Sequence, residues 1–415
     1  MKVFRSADIL IPKNVDFTKW SVVACDQYTS EPEYWEKAEE LVGDVPSALN
    51  LIFPEVYLSE GDGRIEKINK KMNEYLDNDI FEELKDSLIY VERTIKNGKV
   101  RRGIVGCIDL EEYDFNRGSN SVVRATEGTV LERIPPRVKI RENSPLEFPH
   151  VMILIDDEEK KTVEPLTEVK QELKKLYDFD LMADSGHLTG YLLRKQDCEN
   201  VFSGIDMLYE EFDSKYDIKD AAKLIFAVGD GNHSLATAKT CWENLKKNLS
   251  EKERENHPAR FALCEIVNLH DESLEFEPIH RVVFNVDAEK LLKKMHEYYD
   301  ISDTENGGQH IKYISEDKSG DLYVSNPSSG LAVGTLQNFL DEYIKEYGGT
   351  VDYIHGDDVV KKLGTQKGNI GFILPAMGKN ELFKTVIKDG VLPRKTFSMG
   401  EACDKRFYLE GKKIK

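Results

Sequence analysis

Asp230, Asn232, His233 and Ser234 stand within five consecutive residues, set between and after two glycines in Gly229-Asp230-Gly231-Asn232-His233-Ser234. A carboxylate can hold a metal ion, an imidazole can move a proton, and an amide and a hydroxyl can donate to a phosphate. A second concentration lies at 113–141, where Arg117, Arg124, Arg133, Arg137 and Arg141 alternate with Glu127, Glu132 and Glu142. Its RATEGTVLERIPPR core is too broken by glycine and proline for a long helix. Arginines on irregular backbone suit bidentate contacts with phosphate or carboxylate, although surface ion pairs use the same residues. Smaller groupings are the Asp26–Glu31 loop, with its carboxylates and hydroxyls, the His280-Arg281 pair after Pro278, and the basic run Pro393-Arg394-Lys395.

The elements around the first group make a phosphate site by geometry. Leu224 to Val228 is an apolar run of strand length. The glycine turn breaks it, and a helical period starts at His233, with Leu235, Ala238, Trp242, Leu245 and Leu249 on one side. Asn232 is the expected N-cap. A strand, a tight turn and a helix N-terminus together aim backbone N–H groups and the helix dipole at one point. No G-x-x-x-x-G-K-[ST] segment is present, and the turn matches G-x-G-x-x-G only to its second glycine, with Ser234 in the third place. An ordinary strand–turn–helix corner with His233 capping the helix remains the alternative.

A length of 415 residues allows two or three domains or one large core with additions, and a net charge of −19 argues against nucleic-acid or membrane-surface binding. An anionic ligand must then be drawn by local cations. Six scattered cysteines without a C-x-x-C pair, no signal-type apolar segment and no membrane-length run predict a cytoplasmic protein.

Along the chain, Trp20–Cys25 reads as a strand and Ser30 as the cap of a helix from Pro32. Residues 63–87 read as a charged helix, and 88–94 with 103–110 as a hairpin through the Lys96–Lys99 turn. Residues 157–180 read as a charged helix and 199–222 as another. Phe261–Leu269 is expected to pair with the central strand. Strand–helix alternation over 285–415 predicts helices at 287–298, 336–346, 357–363 and 379–388, and strands near 311–315, 321–325, 351–354 and 370–374. The fold class is α/β (α+β mixed), with a mixed-sheet core at 1–290 and a C-terminal α/β subdomain at 291–415.

Over nearly its whole length the chain resembles the domain of unknown function 1015 family. The carriers are Ala227–Ala238 for the family's G-H-H-R-type turn, Glu127-Gly128-Thr129 with Arg137 downstream, Pro278-Ile279-His280-Arg281, and a shortened Pro393–Phe397. The chain departs at the turn, where Asn232 and Ser234 replace a histidine and an arginine; Lys239 or an arginine from 124–141 is the substitute cation. The turn is similar to the phosphate-binding box of ParB/sulfiredoxin-like proteins, a group holding ATP- or ADP-dependent kinases of free serine and nucleotide-binding DNA-partition proteins. The resemblance implies nucleotide-dependent phosphoryl transfer to a small metabolite, with free L-serine first. Alternatives are a phosphoserine-type phosphatase and a non-catalytic nucleotide or metabolite sensor.

In that reading Asp230, His233 and Glu127 are catalytic, and Asp230 holds Mg²⁺. Gly229, Gly231, Asn232, Ser234, Arg124, Arg137, His280, Arg281 and Lys395 bind phosphate or nucleotide. The partners are a small-molecule substrate and ATP or ADP, with no nucleic acid and no membrane, and a homodimer stays open.

Overall fold

A computed structural model describes residues 2–217 and 222–415. The fold is mixed α/β, as the strand and helix patterns predict. It divides into two compact units, Met1–Leu274 with Gly400–Lys415, and Glu275–Met399. The sequence rhythm puts the boundary after residue 290 and leaves the last residues with the second unit. Strand pairing draws both limits differently, because a short C-terminal segment can pair with strands far away in sequence.

The first unit is built on a ten-stranded mixed sheet. Its order is Lys174–Asp180, His187–Leu192, Ile89–Thr94, Val100–Asp109, Phe261–Asn268, Met152–Ile155, Phe226–Asp230, Val123–Ala125 and Tyr113–Asp114, with Phe4–Arg5 paired to Val100–Asp109. The hairpin of Ile89–Thr94 with Val100–Asp109 forms as its turn predicts. Phe261–Asn268, however, does not pair with the central strand Phe226–Asp230. The apolar Met152–Ile155 lies between them, parallel to one and antiparallel to the other. Chain proximity does not decide strand order when several buried strands compete.

Two segments expected to be helical are strands. Lys174–Asp180 pairs with His187–Leu192, and its charges alternate with the buried Tyr177 as on a half-exposed strand. The 62–77 helix stops at Asn78, and Phe81–Ser87 pairs with Ala7–Pro12. A charge-rich strand on a sheet edge looks like a solvated helix face when only composition is read. Similarly, Phe17–Trp20 is a short helix capped by Asp16, leaving Val22–Val23 as strand. The helix Pro32–Val42 is preceded by Glu31, not capped by Ser30. The helix Lys195–Tyr216 is as expected; residues 218–221 of its predicted end lie outside the described residues.

The C-terminal residues close this unit. Phe407–Tyr408 pairs with Val22–Val23, and Lys412–Lys413 with Leu146–Glu147. They carry Lys405, Arg406 and Tyr408 across the sheet.

In the second unit the strands run Ile301–Ser302, Ser319–Val324, Gln309–Ser315, Asn369–Ile373, Phe276–Phe284, Thr350–His355, all antiparallel, with Phe397–Met399 on the start of Phe276–Phe284. Helices Ala288–Tyr298, Ala332–Tyr347, Asp357–Gly364 and Lys379–Asp389 follow the predicted alternation. No helix among the described residues is long and apolar enough to cross a membrane.

Candidate functional site

The central strand ends at Asp230, and the central helix is Asn232–Leu245. Gly231 is the residue between them, in the left-handed conformation at φ 78°. It takes the N-cap place expected for Asn232, which is instead the first helical residue. Leu235 N–H makes the helix's first backbone bond, to Gly231 O at 3.0 Å. The N–H groups of Asn232, His233 and Ser234 therefore precede the ladder, at the positive end of the dipole. Leu235, Ala236, Ala238 and Trp242 bury the opposite face and hold the helix on the sheet. Asp230 Oδ1 accepts from Gly231 N–H at 2.9 Å. Asn232 Oδ1 and Thr129 Oγ1, both beside this turn, are buried without a hydrogen-bond partner.

Gly231 is required here on two grounds. Its φ disfavours a side chain, and a Cβ would lie 3.0 Å from Val151 Cα and 3.4 Å from His150 Cδ2. Gly231→Ala is expected to cost about 1–2 kcal/mol from φ alone, and more from the contact. Gly98→Ala, in the hairpin turn, is the control, since Gly98 has φ 83° and nothing within 4 Å of such a Cβ. Urea unfolding should show the Gly231 variant as the less stable of the two.

His150 links the turn to the rest of the site. Its Nδ1 is 2.8 Å from Tyr408 Oη, and its Nε2 is 3.7 Å from Asp26 Oδ2. Tyr408 Oη also accepts from Cys25 N–H at 3.1 Å, so its own hydrogen is available to His150 Nδ1. That tautomer turns the Nε2 hydrogen towards Asp26. Lys405 Nζ lies 3.5 Å from Asp230 Oδ2, with both side chains largely buried. Burial pushes the Asp26 carboxyl up, but His150, Gln27 and Lys405 outweigh it and hold the group below its ordinary value. Burial, then Asp26, push the neighbouring Cys25 thiol up to about 12, which leaves it a neutral thiol and no nucleophile.

The 126–130 loop runs beside the turn. Val123–Ala125 is parallel to the central strand, Thr126 Oγ1 donates to Val228 O at 2.6 Å, and Val130 N–H donates to His233 Nε2 at 3.2 Å. Glu127 is thereby on the loop that flanks the turn. With Nε2 accepting, neutral His233 carries its proton on Nδ1.

The predicted arginines separate. Arg124 is buried and donates to Ser121 O and Ala222 O, both at 2.7 Å. Ala222 precedes the central strand, so this guanidinium serves the end away from the turn. Strand alternation and side-chain direction, not nearness in sequence, decide that placement. Arg137 lies on the helix Ile134–Arg141, which packs against the central helix, and is ion-paired with Glu55. Glu55 N–H donates to Cys25 O at 2.8 Å, so this pair borders the Cys25–Asp26 segment.

His280, Arg281 and Lys395 belong to the second unit. His280 accepts from Leu374 N–H at 3.1 Å and faces Asp357 Oδ1 at 3.0 Å; burial outweighs that carboxylate and holds its pKa down. Arg281 donates to the carbonyls of Ile279, Arg394 and Lys395, to Gln337 Oε1, and lies over the Tyr353 ring. This pair braces the 393–396 loop, and Lys395 contributes its carbonyl there.

Sequence reading passed over His150, Lys405 and Tyr408. A histidine opening an apolar strand and a lysine within Cys403–Tyr408 carry no spacing signal. Asp26 stood in a segment already noted for its carboxylates, and its position at the end of Val22–Val23 was the available clue.

A separate group sits after the strand Met152–Ile155. Asp156, Glu158 and His270 place ligand atoms within 4.8 Å of one another. Asp156 already receives His270 Nε2 at 2.6 Å, Lys215 Nζ at 2.8 Å and the Tyr216 hydroxyl. Burial raises its pKa, but these hydrogen bonds outweigh burial and the net is a lowering. A carboxyl depressed in the folded state stabilises above its unfolded pKa of about 3.9, and that contribution is lost as pH falls through the folded value. Acid titration should therefore show wild type more stable than Asp156→Asn near neutrality, with the difference shrinking below about pH 4.

A family model described as "Protein of unknown function (DUF1015)" matches residues 9–343. No curated protein matches. Among solved structures, free serine kinase in complex with AMP is similar at TM-score 0.39 and 12% identity, covering 76% of this chain and 93% of that one. SbnI with C-terminal truncation from Staphylococcus aureus has TM-score 0.36 and 10% identity, covering 71% and 83%. A conserved hypothetical protein from Pyrococcus furiosus has TM-score 0.35 and 14% identity, covering 75% and 92%. Scores this low transfer no residue role to this chain.

Proposed function

The chain belongs to the DUF1015 family, and from that premise and its own site we propose a nucleotide-dependent phosphotransferase acting on a small alcohol, with free L-serine as the preferred acceptor. One observation carries the reading. Asp230 and Lys405 meet at the entry to a helix N-terminus whose turn lies against His150, itself facing Asp26. Phosphoryl transfer needs positioning and charge neutralisation more than covalent chemistry. The N–H groups of Asn232, His233 and Ser234 would take phosphate oxygens, and Lys405 would neutralise charge where the overall field of −19 repels an anion.

The residues also fit Mg²⁺, which takes one or two carboxylates beside substrate phosphates. Asp230 would hold it, with Asp26 as the second carboxylate. Asp26 is kept ionised below its ordinary range, which suits a ligand and not a base. The bound ion would supply charge neutralisation on the nucleotide phosphates. Glu127, on the flanking loop, would orient or deprotonate the acceptor hydroxyl, and His233 would donate through Nδ1.

Purified protein incubated with ATP or ADP, Mg²⁺ and L-serine tests this. Nucleotide turnover that depends on serine is the expected result. Phosphate released from phosphoserine without nucleotide would make the protein a phosphatase. Tight nucleotide binding with neither activity would make it a sensor.

A further inference from the structure

A second site lies inside the first unit, beneath the C-terminal segment. Val91, Arg93, Arg101, Leu188, Glu265, Arg406, Phe407 and Glu410 line a cavity of about 10 Å³ open to the centre of a water molecule, room for one atom-sized occupant. Arg93 and Arg101 face each other directly across adjacent strands. Both are nearly fully buried, and like charges set opposite in this way repel. Their known bonds go to carbonyls: Arg93 to Ser185 O and Cys403 O, Arg101 to Asp404 O. Nε of Arg93, Nε of Arg101 and Oε1 of Glu265 are buried with no partner.

Charge counting sharpens this. Arg406 is matched by Glu265 Oε2 at 2.8 Å and Glu410 Oε2 at 2.7 Å. Three guanidiniums and two carboxylates then line the cavity, and the Asp404 carboxylate acts on Arg93 from just outside the lining. Burial, with Arg101 acting the same way, pushes the Arg93 guanidinium down to about 9. Arginine does not release its proton in a protein, so the facing pair stays charged and its two buried Nε–H donors lack an acceptor.

We propose that this cavity is a binding site for a monatomic anion, chloride or another halide, held between Arg93 Nε and Arg101 Nε. It would also bear on the candidate site. The same two guanidiniums hold the carbonyls of Cys403 and Asp404, and the next residue is Lys405, which reaches Asp230. An anion that relieves their repulsion firms the backbone that presents Lys405. The binding claim itself does not depend on the phosphotransfer reading.

The test uses the whole chain at fixed ionic strength, replacing sodium gluconate by sodium chloride and then by sodium bromide. The expected result is a saturable rise in the thermal midpoint with either halide. Hydrogen exchange at the amides of Asp404, Lys405 and Arg406 should slow several-fold. Arg101→Gln should abolish the halide response. That variant also loses a bond to Asp404 O, so a wild-type crystal soaked in bromide provides the independent arm, with an anomalous peak expected between the two guanidiniums. Equal midpoints in gluconate and chloride, or no bromide peak in the cavity, would overturn the proposal and leave the cavity to water.

Discussion

Asp230→Asn is expected to lower phosphotransfer turnover by about 10²–10³-fold while leaving the fold in place. The amide keeps an oxygen where Oδ1 accepts the Gly231 N–H, so the turn retains its local bond. What it loses is the charge that faces Lys405 at 3.5 Å and that would hold Mg²⁺. Without it, Lys405 binds anions as before, and nucleotide affinity should fall far less than turnover. Single-turnover assays with ATP or ADP and serine, beside a calorimetric nucleotide titration, separate the two effects. Urea unfolding should show a loss of about 1–3 kcal/mol, since Lys405 is left largely buried without its carboxylate while the Gly231 N–H keeps an acceptor. Turnover that survives the substitution would move the chemistry away from this turn.

Arg406→Met should be the most damaging single change to stability, at about 3–5 kcal/mol. Arg406 is buried, bonded to Glu265 and Glu410 and to the carbonyl of Pro149. Burial opposes its charge, yet Glu410 and Glu265 outweigh burial and hold the guanidinium above its ordinary value. Removing it strands two carboxylates in the interior, and Tyr177, which donates to Glu410, can compensate only in part. The double variant Arg406→Met, Glu410→Gln should recover part of the loss, because it removes the carboxylate that only Tyr177 then partners and leaves Glu265 to act on Arg93. Chemical denaturation of both variants checks this; an equally unstable double variant would place the loss in packing instead.

Much of the architecture could be read along the chain. The hairpin at 89–109 follows from its Asn-Gly turn, and the helices of the second unit follow from apolar period. The candidate turn is local for the same reason: Gly231 must adopt positive φ, and Leu235, Ala238 and Trp242 must face one way. The strands Phe81–Ser87 and Lys174–Asp180 were not legible, since their charged composition imitates a helix surface until a partner strand is known.

The sequence by itself determined the strand–glycine–helix corner, with Asp230 and His233 on it, because torsion preference and helical periodicity act over a few residues. Tertiary structure alone decided which side chains meet there. Val22–Val23 brings Asp26, the segment leading into Met152–Ile155 brings His150, and the C-terminal return brings Lys405 and Tyr408. It likewise turned Arg124 to backbone carbonyls and His280 and Arg281 to bracing the second unit. Those outcomes depend on pairing between strands hundreds of residues apart, where packing and charge burial decide the partner and no local spacing records it.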